Sequence, residues 1–194
     1  MRARRGRPKK VGAGLPHVRR PAVDARRPHH VTVRMRRGVW NLRSQRCFRP
    51  VAEALRAVRG REGFRVVHFS VQGNHLHLVT EAESRRSMTL GMRALLIRIA
   101  RQLNRVMQRR GPVLADRFHE RILSTPTEVR NVVRYVIGNH ASHLARLGKV
   151  GIAHDPFSSA VVADVVSAAS SWLLTRGWLR AREGPHVPPP SVRG

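Results

Sequence analysis

Apolar residues along the chain follow two rhythms. From His30 to Arg37 the positions Val31, Val33 and Met35 alternate with polar ones, the period of two that marks a half-buried strand. Ser44 then caps a predicted helix running to about Arg61, with Val51, Leu55 and Val58 on one stripe and Gly60 and Gly63 at its end. Phe64 to Gln72 and His75 to Glu81 read as two strands of a hairpin joined by the turn pair Gly73 and Asn74. A long helix opens at Ser84 or Ser87 and continues to about Arg110, and Met88, Met92, Leu95, Leu96, Ile99, Leu103 and Met107 line its apolar face. Arg117 to Leu123 alternates again as a fourth strand. Thr125 as cap, Pro126 at the first helical position and Glu128 closing a capping box start one more helix, which runs to about Leu147 and carries Tyr135.

The order strand, helix, strand, strand, helix, strand, helix predicts an α+β fold. Its centre is a ferredoxin-like antiparallel sheet with helices packed on one face, followed by a C-terminal helix that carries Tyr135. The other sheet face is expected to stay open. Strict alternation along the second strand puts Phe64 and Phe69 on opposite faces. Outside this core, residues 1–28 combine Arg, Gly and Pro without apolar periodicity and are expected to form a disordered basic arm. The folded domain is placed at residues 29–159, a helical extension at 160–181, and an unstructured tail with Pro188, Pro189 and Pro190 at 182–194.

Composition narrows the function. At 194 residues and 41% apolar content the chain has enough for one core. Its 38 basic residues against 11 acidic ones give a formal charge of +27, which points to a polyanionic partner. An arginine-rich genome would explain why lysine occurs only at positions 9, 10 and 149, but not why acids are missing. No acidic residue occurs between Glu83 and Asp116, where Arg85, Arg86, Arg93 and Arg101 are among the arginines. Cys47 is the single cysteine, so disulfides and thiolate clusters are excluded, and any metal must use His, carboxylate or amide ligands. No stretch is long and apolar enough to span a bilayer, and no secretory signal opens the chain, so a cytoplasmic, nucleoid-associated protein with no membrane partner is expected.

The chemistry concentrates in four residues. His75 and His77 are two apart on a strand, so both imidazoles leave the same face while Leu76 and Leu78 point to the core. This arrangement suits a two-histidine metal clamp, although such pairs are often structural. Tyr135 and Asn139 are four apart on a helix and share a side of it, and the Asn139 amide oxygen can complete the shell of a hard cation such as Mg2+. Tyr135 is the one tyrosine among 5 phenylalanines and 3 tryptophans, and mere packing would not require the phenol. A tyrosine oxygen beside a metal is suited to attack on a phosphodiester.

With these residues the chain, over about residues 29 to 159, resembles the single-tyrosine HUH transposases, specifically the REP-associated tyrosine transposases. The resemblance rests on Phe64 to Leu78, on Arg117, Phe118 and His119, on Arg134 to Asn139, and on Asp155 to Ser159. It implies that His75 and His77 bind Mg2+ or Mn2+ and that Asn139 sits where a third ligand is expected. It implies that Tyr135 is the nucleophile of a 5′-phosphotyrosine intermediate, and that the substrate is single-stranded, hairpin-forming palindromic DNA. His140 after Asn139 departs from the Asn-Pro or Asn-Asn of many relatives.

Arg85, Arg86, Arg93, Arg101, Arg117 and His119 are candidate phosphate contacts, and Trp40 can stack on an unpaired base. A monomer is expected, with a dimer as the alternative. Three other readings stay open: a nucleic-acid-binding module that does not cut, a domesticated transposase that binds without cutting, or a metal hydrolase in which Glu81 or Asp116 joins the histidines.

Overall fold

The computed structural model describes residues 22–146 and 154–181, with the side chains of residues 139–146 outside that description. Most of the expected arm (residues 1–21) and the whole tail (182–194) also lie outside the described residues. Four strands and three long helices occur in the predicted order: β1 (His29–Arg34), α1 (Gln45–Arg56), β2 (Phe64–Val71), β3 (His75–Ala82), α2 (Arg85–Val106), β4 (His119–Ile122) and α3 (Pro126–Arg146). The strands form one antiparallel sheet in the order β2-β3-β1-β4.

Local chemistry sets the helix starts. The Ser44 and Ser84 side chains accept from the backbone amides of Cys47 and Ser87, so Ser84 is the cap that opens α2. Thr125 Oγ1 accepts from the Glu128 amide at 3.2 Å, while Glu128 Oε2 accepts from the amides of Ser124 and Thr125, closing the capping box.

The main core lies between one sheet face and α1 with α2, where Val31, Val33, Phe64, Phe69, Leu76 and Leu78 meet Leu55, Met92 and Ile99. Phe64 and Phe69 both belong to this core, against the expectation of opposite faces. A β-bulge between Val66 and His68 adds one residue to β2 and shifts its phase. The second sheet face is only partly open. Val67, Val79 and Leu123 on that face are covered by Val129, Val132, Val133 and Val136, the i, i+3, i+4, i+7 stripe of α3.

The chain is also ordered on both sides of the predicted domain limits. Val23 packs against the main core and Pro28 accepts from Leu123, so the folded part begins before residue 29. Residues 160–181 hold the short helix α4 (Trp172–Thr175) and two 3-10 turns, Ala163–Val165 and Gly177–Arg180, joined by irregular chain. The segment from Asp155 onward seals the outer edge of β2, with Val71 donating to Phe157, Ser159 to Phe69 and Ser167 to Val66. Arg43 clamps it there, donating to both Asp155 oxygens at 2.9 and 3.0 Å and to the Val71 carbonyl while lying over the Phe157 ring. Among the described residues no helix is long and apolar enough to cross a membrane.

Candidate active site

On the half-covered sheet face, the register places Thr32 opposite His77 and Arg34 opposite His75. Side chains directly across an antiparallel pair share a face, so the two histidines of β3 meet the polar positions of β1 there. Their Nε2 atoms lie 3.0 Å apart. Tyr135 reaches down from α3, and its hydroxyl lies 3.2 Å from His77 Nε2. His75, His77 and Tyr135 therefore converge on one point, the two rings at 88° to each other and the phenol edge-on to His77.

The other side of His77 is equally specified. Its Nδ1 lies 3.2 Å from His30 Nε2 and 3.3 Å from Thr32 Oγ1, and His30 stacks on the ring at 5.3 Å. Burial, followed by repulsion from Arg121 and His119, pushes His30 down to about 4. A neutral His30 can accept a hydrogen bond from His77 Nδ1–H, which leaves the Nε2 lone pair facing His75 and Tyr135. At the turn, Asn74 Oδ1 lies 2.8 Å from His75 Nδ1 and orients the second ring in the same sense.

This donor set fits a divalent cation. Two imidazole nitrogens about 2.1 Å from one ion and at right angles sit about 3 Å apart, which matches the observed Nε2 pair. Among the described residues no third His, Cys or carboxylate completes a cluster. Asn139 lies one turn beyond Tyr135 on α3, and its side chain is outside the described residues. Glu81 is committed elsewhere, because its oxygens accept from the Ser170 amide and hydroxyl and from the Ser171 amide at 2.8–2.9 Å. Its burial is therefore explained by anchoring the chain before α4.

The remaining candidate residues spread widely. Arg85, Arg86, Arg93 and Arg101 sit on α2, on the opposite side of the sheet from Tyr135. Arg85 donates to Glu120 at 2.7 Å, and His29 lies 2.8 Å from the other oxygen of that carboxylate. Burial raises the Glu120 carboxyl, but His29 and Arg85 outweigh it and hold the group down to about 2. Arg86, Arg93 and Arg101 are exposed, as is Arg117 in the approach to β4. His119 is exposed on β4 opposite Thr32 and so belongs to the sheet face that carries His75 and His77. His68, on the same face of β2, lies 3.3 Å from Ser159 Oγ and helps hold the edge-sealing segment. Trp40 is 44% exposed beneath the Arg46 guanidinium, in a loop bonded to the β2–β3 turn through Leu42 and Gly73. His30, Thr32 and Arg34 were not among the candidates. Their signal is the polar half of the β1 alternation, whose apolar half alone served to predict the strand.

No family model matches the chain, and no curated protein does. Solved structures do. A REP-associated tyrosine transposase, solved bound to a REP hairpin, superposes with a TM-score of 0.52 at 18% identity over 75% of this chain and 82% of its own. A "putative transposase" from Deinococcus radiodurans R1 aligns at 14% identity and a TM-score of 0.42, over 63% of this chain and 95% of its own. The half-covered antiparallel sheet of this chain thus shares its fold with a REP-associated tyrosine transposase.

Proposed function

We propose that the protein is a metal-dependent single-stranded DNA endonuclease and strand transferase acting on hairpin-forming palindromic DNA, a transposase with Tyr135 as nucleophile. One observation carries this reading: the Tyr135 hydroxyl of α3 lies 3.2 Å from His77 Nε2 of β3, which is itself 3.0 Å from His75 Nε2. His75 and His77, with Asn139 as the third ligand, would hold Mg2+ or Mn2+. Bound there, the ion would draw charge from a phosphoryl oxygen and lower the barrier to attack. The Tyr135 oxygen forms a bond to phosphorus as its proton leaves, and the bond to the 3′ oxygen breaks and that oxygen takes up a proton. The 5′ phosphate stays on the tyrosine as a phosphodiester, so the step can run backwards onto another 3′ hydroxyl. Outcomes of this kind suit strand transfer better than degradation.

Charge supports the substrate class, since +27 exceeds what solubility needs. The hydrolase reading is disfavoured, because Glu81 is already bonded to the chain at Ser170 and Ser171 and, among the described residues, neither Glu81 nor the exposed Asp116 forms a three-member metal-binding group with the histidines. A sheet that stacks RNA bases is disfavoured as well, since Phe64 and Phe69 are both buried in the core. The deciding experiment is incubation of the protein with a single-stranded hairpin oligonucleotide and Mn2+, followed by denaturing gel and mass analysis. A covalent adduct on Tyr135 at the DNA 5′ end, lost in Tyr135→Phe, is the expected result. Cutting that persists in Tyr135→Phe and leaves a free 5′ phosphate would refute the proposal.

A further inference from the structure

Arg34 is the last residue of β1 and stands opposite His75 in the register. Val31, Val33 and Met35 point to the main core, so by alternation His30, Thr32 and Arg34 share the face that holds Tyr135. Arg34 is half-buried, yet among the described residues its side chain makes no hydrogen bond or ion pair. The other half-buried arginines all have partners. Arg43 has Asp155, Arg85 has Glu120 and Arg121 has Glu128, while Arg65 reaches Ser170, Arg109 the Gly38 and Pro112 carbonyls, and Arg130 the Ala181 carbonyl. A cation partly withdrawn from water without an internal partner is unfavourable. Among the half-buried arginines described, this one alone keeps its guanidinium uncommitted, and the ligand its charge selects is an anion.

Resting on the function proposed above, we infer that Arg34 is a further catalytic residue, whose guanidinium binds the scissile phosphodiester beside His75. The ligand class is a nucleic-acid phosphate, which a planar guanidinium can grip through two oxygens. Attack by Tyr135 concentrates negative charge on the non-bridging oxygens, so a fixed cation at that point stabilises the transition state more than the ground state. Arg34 keeps its proton throughout and takes part in no covalent step.

The test uses the full chain carrying Arg34→Gln and Arg34→Lys, with three readouts on one hairpin oligonucleotide. Single-turnover adduct formation is expected to fall on the order of 100-fold in the glutamine variant and less in the lysine variant, as for loss of one preorganised charge donor. Mn2+ affinity by calorimetry and the melting temperature are expected to stay at wild-type values. A methylphosphonate at the scissile position, which removes the phosphate charge, is expected to erase the difference that Arg34→Gln makes to oligonucleotide affinity, measured on a Tyr135→Phe background. Wild-type adduct rates in Arg34→Gln would overturn the inference, as would a rate loss that tracks a loss of Mn2+ binding. If the wild type itself forms no adduct, the proposed function fails. The affinity arm then still decides, and equal affinity for the charged oligonucleotide with and without Arg34→Gln would overturn the phosphate assignment.

Discussion

His77 holds two roles that one imidazole can combine only if its tautomer is fixed. Nδ1 faces His30 and Thr32, and Nε2 faces His75 and Tyr135. Removing either Nδ1 partner, in Thr32→Val or His30→Leu, is expected to weaken Mn2+ binding by about 10–100-fold, as for other outer partners of a metal ligand. Calorimetry with folded variants checks this, and unchanged affinity in both would remove them from the site. Glu120 acts on stability instead. Its folded-state pKa, about 2, lies below the ordinary value of 4.5. Its contribution is therefore complete above pH 4.5 and is lost as the pH falls through about 2. Melting temperatures followed from about pH 6 to about pH 2 should decline over that window, and the decline should be shallower in Glu120→Gln. That variant should already be about 3 kcal/mol less stable at neutral pH, because Arg85 and His29 lose their buried partner. At this scale the sequence was partly legible. Two histidines at spacing two and a lone tyrosine could be singled out from the sequence and lie together in the fold, whereas His30, Thr32 and Arg34 join them only because β3 lies beside β1.

Identical substitutions in two helices should have opposite signs. In α2, a Cβ on Gly91 would lie 2.1 Å from Phe64 Cγ, so the helix approaches β2 as closely as it does because that residue has no side chain. Gly91→Ala gains up to about 1 kcal/mol of helix propensity but must displace a buried ring, and overpacking of that kind costs about 1–3 kcal/mol. At Gly138 in α3, none of the described residues comes within 4 Å of the same position. Gly138→Ala is therefore expected to stabilise by about 1 kcal/mol, and urea denaturation of both variants would show whether the signs differ. Element boundaries were readable because caps and turn residues mark them chemically: Ser44, Ser84, Thr125 and Gly73 all lie at observed ends. The bulge in β2 was not. Val66 and Val67 are adjacent and both apolar, so a slip in phase between them leaves no trace in the hydrophobic pattern.

Taken whole, the molecule separates chemistry from charge. The cluster of His75, His77 and Tyr135 sits on one sheet face, and the exposed arginines of α2 lie behind the other. Nucleic acid that engages both must wrap around an edge of the sheet. Binding to single strands is expected to weaken steeply with salt, with a slope of about −4 in log affinity against log salt if about six phosphates are contacted. Replacing Arg93 and Arg101 together should make that slope shallower without changing the single-turnover rate at saturation. Fluorescence anisotropy across a salt series, paired with adduct kinetics, checks both halves. Which face α3 would cover was not legible, because its stripe of valines could have packed on either side. The seal on β2 also bears on the order in which the protein is built. The Arg43–Asp155 clamp joins residues 112 positions apart, and Tyr135 must travel to a histidine 58 positions before it. Closures over such distances come late and slowly in folding. The arginines, by contrast, are present from the first turn of chain. On refolding from denaturant, nucleic-acid affinity is expected to return ahead of adduct formation, and during synthesis the protein would grip its substrate before it could cut.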